Sequence, residues 1–215
     1  MKIKTITHLD DFLDQNIAWR KKELTLAIND YTSANNHKKN YYLRVLIVTI
    51  YCHWEGFIKQ SSEGYLEYIS SLRLNLDTLN KNFISLCLDN YIDNFSSINN
   101  ISSRNNIVSF LLNELSQNKY QFKKGQINTQ SNLNMEVLEK ICLSIGIDQS
   151  QLNIDIVWVD KRLLKYRNAI SHGEKLTKEE ITFELIELKD KIQNALDIYK
   201  NLISNAAYTK SYLKI

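Results

Sequence analysis

The sequence predicts an all-α fold, a helical bundle with a long C-terminal helix, and two observations predict it. The 215 residues include no proline and only five glycines, the two residue types that most readily interrupt helices. Apolar side chains recur at the spacing of an amphipathic helix over much of the chain, and no region is rich in strand patterns. We therefore expect one helical domain over residues 1–215, long enough to bury a proper core.

The N-terminal third predicts two helices with a polar break between them. Apolar positions at helical spacing place the first helix at about residues 9–28 or slightly beyond. Residues 35–40 are polar and turn-prone. A long helix then starts near Tyr41. Over residues 43–54 it is apolar around much of its circumference, so we expect it to be the central and most buried helix.

The middle of the chain, residues 72–154, predicts short helices separated by loops, and it could be an insertion that decorates the bundle. Gly146 follows a short apolar run and is suited to end a helix in the left-handed conformation. Helical spacing occurs at residues 74–91, 105–115 and 135–145, and polar, turn-rich loops at residues 93–103 and 119–134.

The C-terminal third predicts two helices with a short connection. Apolar spacing indicates a helix over about residues 155–171, and Gly173 is well placed to terminate it. The string Thr-Lys-Glu-Glu at 177–180 matches a capping box, which satisfies free amides at a helix start. From Ile181 the apolar pattern sustains a final helix of roughly 30 residues.

Charge and cysteine content narrow the class of protein. The net charge of +3 is mildly basic and neither requires nor excludes a polyanionic partner. The three cysteines are far apart with no ligand cluster, which predicts buried, reduced thiols, and neither a disulfide framework nor a zinc site. The N-terminus has no apolar signal core, and the longest apolar run, residues 45–52, is too short to span a bilayer. We expect a cytoplasmic protein without membrane contact.

The segment Lys165–Glu174, with the sequence KYRNAISHGE, has the residue types that catalysis on a phosphodiester needs. Arg167 offers a permanent forked charge that can grip two phosphate oxygens. His172 is the side chain best suited to moving protons near neutral pH. On an ideal helix the two are about 140° apart. An unwound last turn would bring them closer, and Gly173 leaves room for His172 to swing back.

An arginine and a histidine can together support metal-independent cleavage of RNA. The histidine takes the proton from a 2′-hydroxyl, which attacks the adjacent phosphate, and the arginine stabilises the charge that builds on the phosphoryl oxygens. The leaving 5′-oxygen then needs a proton, and one chain offers one such histidine. A symmetric dimer would supply the second. The plain alternative is a surface arginine and a histidine that interacts with the helix dipole.

Two segments resemble the HEPN superfamily. The RN-x3-H string at residues 167–172, followed by Gly173 and a long final helix, is similar to the R-x4–6-H signature of HEPN ribonucleases, in which a polar residue often follows the arginine. The string YCHWEGFI at 51–58 has Leu-Arg at 43–44 before it and tyrosines at 65 and 68 after it. It resembles the "hWEGF-K…Y" helix of a bacterial HEPN subgroup found in predicted toxin and defence systems.

The resemblance covers mainly residues 40–70 and 155–205. It implies an endoribonuclease that works as a helical homodimer, with the Arg/His motifs facing each other across a cleft and cutting RNA without metal or cofactor. It also implies the toxin or effector of a bacterial defence or toxin–antitoxin system, with an antitoxin protein as a further partner.

The resemblance implies site residues one by one. Arg167 and His172 are the catalytic pair, and Asn168 is the usual polar companion. Glu55 carries over only as a member of the second segment, and our own expectation is a buried carboxylate that orients Arg167 or His172. Two further candidates for a supporting role are Ser171 and Tyr166.

Two other classes of function stay open. One is a non-catalytic helical module that binds RNA, a nucleotide or a protein through the same cleft. The other is a structural partner whose exposed apolar face binds another protein. An endoribonuclease ranks first, because every residue of the motif is present.

Overall fold

The computed structural model describes residues 2–88, 100–152, 159–175 and 182–214, and it confirms the all-α prediction. Within these ranges no β-strand is formed, and no helix is long and apolar enough to cross a membrane. In chain order the α-helices are α1 (Ile6–Ser33), α2 (Asn36–Ser71), α3 (Lys81–Leu88), α4 (Ile101–Ser109), α5 (Met135–Ile145), α6 (Lys165–Ser171) and α7 (Thr182–Tyr208).

The connection between α1 and α2 is shorter than predicted. The expected break at residues 35–40 is wrong for most of its length, because α2 already begins at Asn36. The Asn35 side chain caps α2 by accepting a hydrogen bond from the Lys38 amide at 3.2 Å. Lys39 reaches back and donates to the Tyr31 carbonyl at the end of α1, at 2.6 Å. The polar residues that predict a loop therefore bind free backbone groups at two helix ends.

Helix α2 is the central element, as predicted. It packs against α1, α5, α6 and α7. Trp54 and Phe57 are fully buried on it and belong to the core, together with Leu46 and Leu66. Because α2 is apolar on several faces, neighbours can cover it from different sides.

The middle of the chain is packed onto the same core. Helix α5 ends as predicted at Gly146, whose φ of 73° is left-handed. The loop predicted at residues 93–103 is wrong at its end, where α4 begins at Ile101, and residues 89–99 lie outside the described part.

The three cysteines are expected to be buried, but only Cys142 is buried, and Cys52 is exposed.

Residues 119–134, which we call the return segment, form no helix, as predicted. The Tyr120 amide donates to the Leu74 carbonyl just beyond the end of α2, at 3.0 Å. The Leu133 amide donates to the hydroxyl of Tyr51, near the middle of α2, at 2.7 Å. The return segment therefore runs back along α2 from its C-terminal end to its centre.

The predicted motif helix is present over its described part. A π-helical turn, Val159–Leu164, leads directly into α6. The first residues of the predicted helix, 155–158, lie outside the described residues, as does the predicted capping box at 177–180. The long final helix is confirmed from Thr182 onwards.

Candidate active site

The C-terminus of α6 ends in a two-bond turn that fixes the backbone of the motif. The Glu174 amide donates to the Ala169 carbonyl at 2.9 Å, and the Gly173 amide donates to the Ile170 carbonyl at 3.1 Å. Gly173 has a φ of 77°, which glycine adopts without strain. The last turn is thus closed rather than unwound. It holds His172 at the C-cap, with its side chain exposed.

Arg44 links this turn to α2. Its Nη1 donates to the Glu174 carbonyl at 2.6 Å and its Nη2 to the Ile170 carbonyl at 3.4 Å. A cation near these carbonyls is favourable because the C-terminal end of a helix carries partial negative charge. Arg44 therefore positions the turn that carries His172. In the sequence, Arg44 is notable only as part of the Leu-Arg pair that precedes the YCHWEGFI string.

Arg167 lies half-buried between α2 and the return segment. Its guanidinium stacks on the Tyr51 ring, with the Cζ 4.6 Å from the ring centroid. Nη1 donates to the side-chain oxygen of Asn168 at 2.9 Å, and Nη2 donates to the Ser131 carbonyl at 3.1 Å. Asn168 thus orients Arg167 directly. Of five guanidinium N–H groups, three remain without a partner among the described residues.

Tyr51 forms the floor beneath Arg167 and was not singled out from the sequence. Its hydroxyl is held by the Leu133 amide, so the ring is fixed from the return segment. Burial raises the pKa of Tyr51 well above its ordinary value, the charge of Glu55 raises it further, and the charge of Arg167 lowers it. Tyr51 is therefore a neutral ring that supports the arginine by cation–π stacking.

Glu55 is half-buried beside Tyr51 and Cys52. The ion pairs among the described residues include none from Glu55 to Arg167 or His172. Burial first, and then the charge of Glu55, raise the pKa of the Cys52 thiol. Glu55 thus places negative charge beside Tyr51 and Cys52, and the expectation that it orients Arg167 or His172 gains no support from a contact.

The two supporting candidates lie on or beside α6. The Ser171 hydroxyl donates to the Arg167 carbonyl one turn earlier, at 3.0 Å, a local bond within the helix end. Tyr166 is half-buried against the core. Among the described residues, the Ser171 bond stays within α6 and does not reach the side chain of Arg167 or His172.

A buried arginine of α1 explains part of the YCHWEGFI string on α2. Arg20 of α1 is only 2% exposed. Its Nε donates to the Asn16 side chain at 2.8 Å, its Nη1 to His53 Nδ1 at 3.3 Å, and its Nη2 to the Gln60 side chain at 3.1 Å. Since arginine only donates, Nδ1 of His53 must accept. His53 Nε2 lies 3.2 Å from the carboxylate of Glu23.

Gly56 is the small residue that admits this arginine. A Cβ at that position would lie 2.9 Å from Arg20 Nη1, closer than van der Waals contact allows. Burial lowers the pKa of Arg20 to about 10. The histidine and glycine of the YCHWEGFI string therefore build a structural joint between α1 and α2, and its tyrosine supports the motif helix.

The arrangement offers one cation with free N–H groups and one exposed imidazole at the end of a single helix. Among the described residues, no group of three or more histidine, cysteine, aspartate or glutamate side chains could hold a metal ion. Arginine can bind a phosphate and histidine can transfer one proton. A reaction that needs both a base and an acid would require a second imidazole.

A comparison with protein-family models identifies a family that matches most of the chain. The family described as RiboL-PSP-HEPN matches residues 15–205. A search of curated proteins and a search of solved structures each found no match. The matched range contains both the YCHWEGFI string on α2 and the RN-x3-H motif at the end of α6. The chain therefore belongs to the RiboL-PSP-HEPN family, within the HEPN superfamily.

Proposed function

We propose that this protein is a metal-independent endoribonuclease of the HEPN type. The observation that carries the proposal is the state of Arg167. It is oriented by Asn168, Tyr51 and Ser131, while three of its N–H groups bond to no residue that the structure describes. A guanidinium held in this way is prepared to bind a phosphate through charge-assisted hydrogen bonds. Family membership supports a role on nucleic acid in general.

The roles follow from the chemistry of each side chain. His172 takes the proton of a 2′-hydroxyl, and the 2′-oxygen attacks the neighbouring phosphorus to form a 2′,3′-cyclic phosphate. Arg167 stabilises the negative charge on the phosphoryl oxygens. The bond to the 5′-oxygen breaks, and a second imidazole protonates that oxygen. Asn168 keeps Arg167 in place.

The second imidazole comes from a second copy of the chain in this proposal. One chain carries a single motif, and its His172 is exposed at the end of a helix, where a partner can approach it. A two-fold symmetric dimer would bring two motifs together. We further propose that the protein is the toxin or effector of a bacterial defence or toxin–antitoxin system, with an antitoxin protein as a partner.

The experiment is digestion of RNA by the purified protein in EDTA. We expect His172→Ala and Arg167→Ala each to lose about 100-fold or more in rate. Lys165→Ala is the matched control, since it removes a positive charge from an exposed position of the same helix. It should retain most of the activity, and the products should carry cyclic phosphate ends. Unchanged cleavage in both motif variants would refute the assignment.

One observation favours a second candidate, a non-catalytic HEPN module that binds RNA, a nucleotide or a protein. The His172 side chain has no hydrogen bond to any described residue, whereas a catalytic base is commonly oriented by a third group. RNA binding that depends on Arg167, with no cleavage at any protein concentration, would favour this candidate over the nuclease.

A further inference from the structure

A cavity of about 540 Å³ opens at the C-terminal end of α2, away from the motif. Its size is within the usual range of ligand sites. Its walls are tied together, because the Phe122 amide donates to the Ser70 hydroxyl at 3.0 Å and Tyr120 pairs with Leu74. The lining residues are Ser70, Arg73, Lys119, Tyr120, Gln121 and Phe122.

The charge of this cavity is positive, and no acidic side chain of the described residues pairs with it. The side chains of Arg73 and Lys119 make no hydrogen bond or ion pair within the described part of the chain. A second cavity of about 250 Å³ shares Lys119 and Gln121 with the first and adds Lys123 to the lining. Among the described residues, no carboxylate lines either cavity. Together they form one groove, which we call the basic groove.

The backbone of Arg73 is strained. It follows the C-cap of α2 and has a φ of 52°, in the left-handed region. This is the position at which helices usually place glycine, because a Cβ makes that conformation unfavourable. Strain of this kind is concentrated at functional sites, although Gln130, Ser131 and Lys210 share the conformation, so the backbone of Arg73 adds to the argument from charge and does not replace it.

The basic groove is connected to the motif by the return segment. That segment begins at Lys119 in the groove and reaches Ser131, whose carbonyl binds Arg167. From Leu115 to Met135 the chain has no acidic residue, and its three charged residues are lysines. The distance along α2 from Tyr51 to the helix end is about 30 Å, at 1.5 Å per residue.

We propose that the basic groove binds a phosphodiester of single-stranded RNA, about 30 Å from Arg167 along the axis of α2. Arg73 and Lys119 bind the phosphate, and the strand follows the return segment to the motif. Phe122 offers a ring on which a base can stack without regard to sequence. This inference rests on the proposed function only in that the same RNA reaches Arg167.

The test is the affinity of His172→Ala protein for a labelled single-stranded RNA of about 12 nucleotides, a length typical of such sites. In this background we expect Arg73→Gly and Lys119→Gln each to weaken binding severalfold. Each should also lower the slope of log affinity against log salt by about 0.7, as for one lost phosphate contact. Lys140→Gln, an exposed charge on α5 that lines neither cavity, should bind like the parent.

Arg73→Gly also separates binding from folding. Because glycine relieves the left-handed strain, this variant should melt at a higher temperature than its parent while it binds RNA less tightly. A folding defect cannot produce that combination. Unchanged affinity and salt slope in both groove variants would overturn the inference. The inference is also overturned if inorganic phosphate raises the melting temperature of the parent but not of Arg73→Gly or Lys119→Gln, while all three proteins bind RNA with the same affinity.

The two proposals fail in different ways. If wild-type protein cuts no RNA but the groove variants still bind it less tightly, the nuclease assignment fails and the groove stands. If His172→Ala abolishes cleavage, while Arg73→Gly and Lys119→Gln leave RNA affinity unchanged in that background and cleavage unchanged in the wild-type background, the groove fails and the nuclease assignment stands.

Discussion

Two arginines lie against the same part of α2, and they are held in opposite ways. Arg20 packs beside His53 with its Cζ 4.5 Å from the centre of the Trp19 ring. Arg167 packs beside Tyr51 at nearly the same distance, 4.6 Å. Each is stacked on an aromatic ring, but Arg20 is 2% exposed and Arg167 is only half-buried.

Their hydrogen bonds show what each arginine is for. Arg20 makes four, to Asn16, Gln60, and both the ring and the carbonyl of His53. Arg167 makes two, which orient it and leave the rest of its donors available. Burial with nearly all donors satisfied is what a structural arginine requires. An oriented arginine whose remaining N–H groups bond to no described residue is suited to bind a phosphate.

The largest expected effect is on stability, and it should differ between the two arginines. Arg20→Ala leaves buried acceptors without a donor, so we expect it to lower the free energy of unfolding by about 3 kcal/mol or more. Arg167→Ala should lower it by less than about 1 kcal/mol. Urea unfolding measures both. Arg20→Lys should recover only part of the loss, because lysine lacks the fork. Equal losses of stability at the two sites would contradict the view that Arg20 is structural and Arg167 is suited to a ligand.

A smaller effect with a change of sign is expected at Gly56. In the wild type, Gly56→Ala pushes against the Arg20 guanidinium and should cost about 1 kcal/mol. In the Arg20→Ala background that obstacle is gone, and alanine should instead stabilise α2 by up to about 1 kcal/mol through its higher helix propensity. Urea unfolding of the four proteins forms a double-mutant cycle. The same sign in both backgrounds would show that Gly56 has another role.

The smallest expected effect is a pH dependence at the Arg20 joint. Burial and the neighbouring charge of Arg20 lower the pKa of His53, although Glu23 opposes this. The unfolded chain therefore takes up the proton first as pH falls below about 6.5, and stability declines from there downward. His53→Gln should flatten the free energy of unfolding between about pH 6.5 and 5. A slope identical to that of the wild type would exclude His53 as its source.

The long helices could be predicted from the sequence because their signals are local. Apolar spacing gave α1, α2 and α7, and single glycines gave the ends of α5 and α6, at Gly146 and Gly173. The apolar pattern places the start of α2 too late, near Tyr41, because the helix begins with the polar residues Asn36–Asn40. Polar residues are compatible with a solvated first turn, and Asn35 and Lys39 cap the adjoining helix ends.

The surroundings of the motif depended on contacts between distant residues. Arg167 and His172 stand out by residue type, but the carbonyl that binds Arg167 belongs to Ser131, 36 positions earlier. The partner of Arg20 on α2, His53, is 33 positions away. No local pattern reports such pairs, because they form only when the helices pack. The same applies to Arg44, which is 130 positions from Glu174.

The central claim is that Arg167 and His172 act on RNA in a site built from two copies of the chain. The most direct test measures RNA cleavage per chain against protein concentration, with solution mass determined at the same concentrations. We expect the activity to rise with the fraction of dimer and to disappear where the protein is monomeric. A monomer that cuts RNA at full activity, through His172, would contradict it.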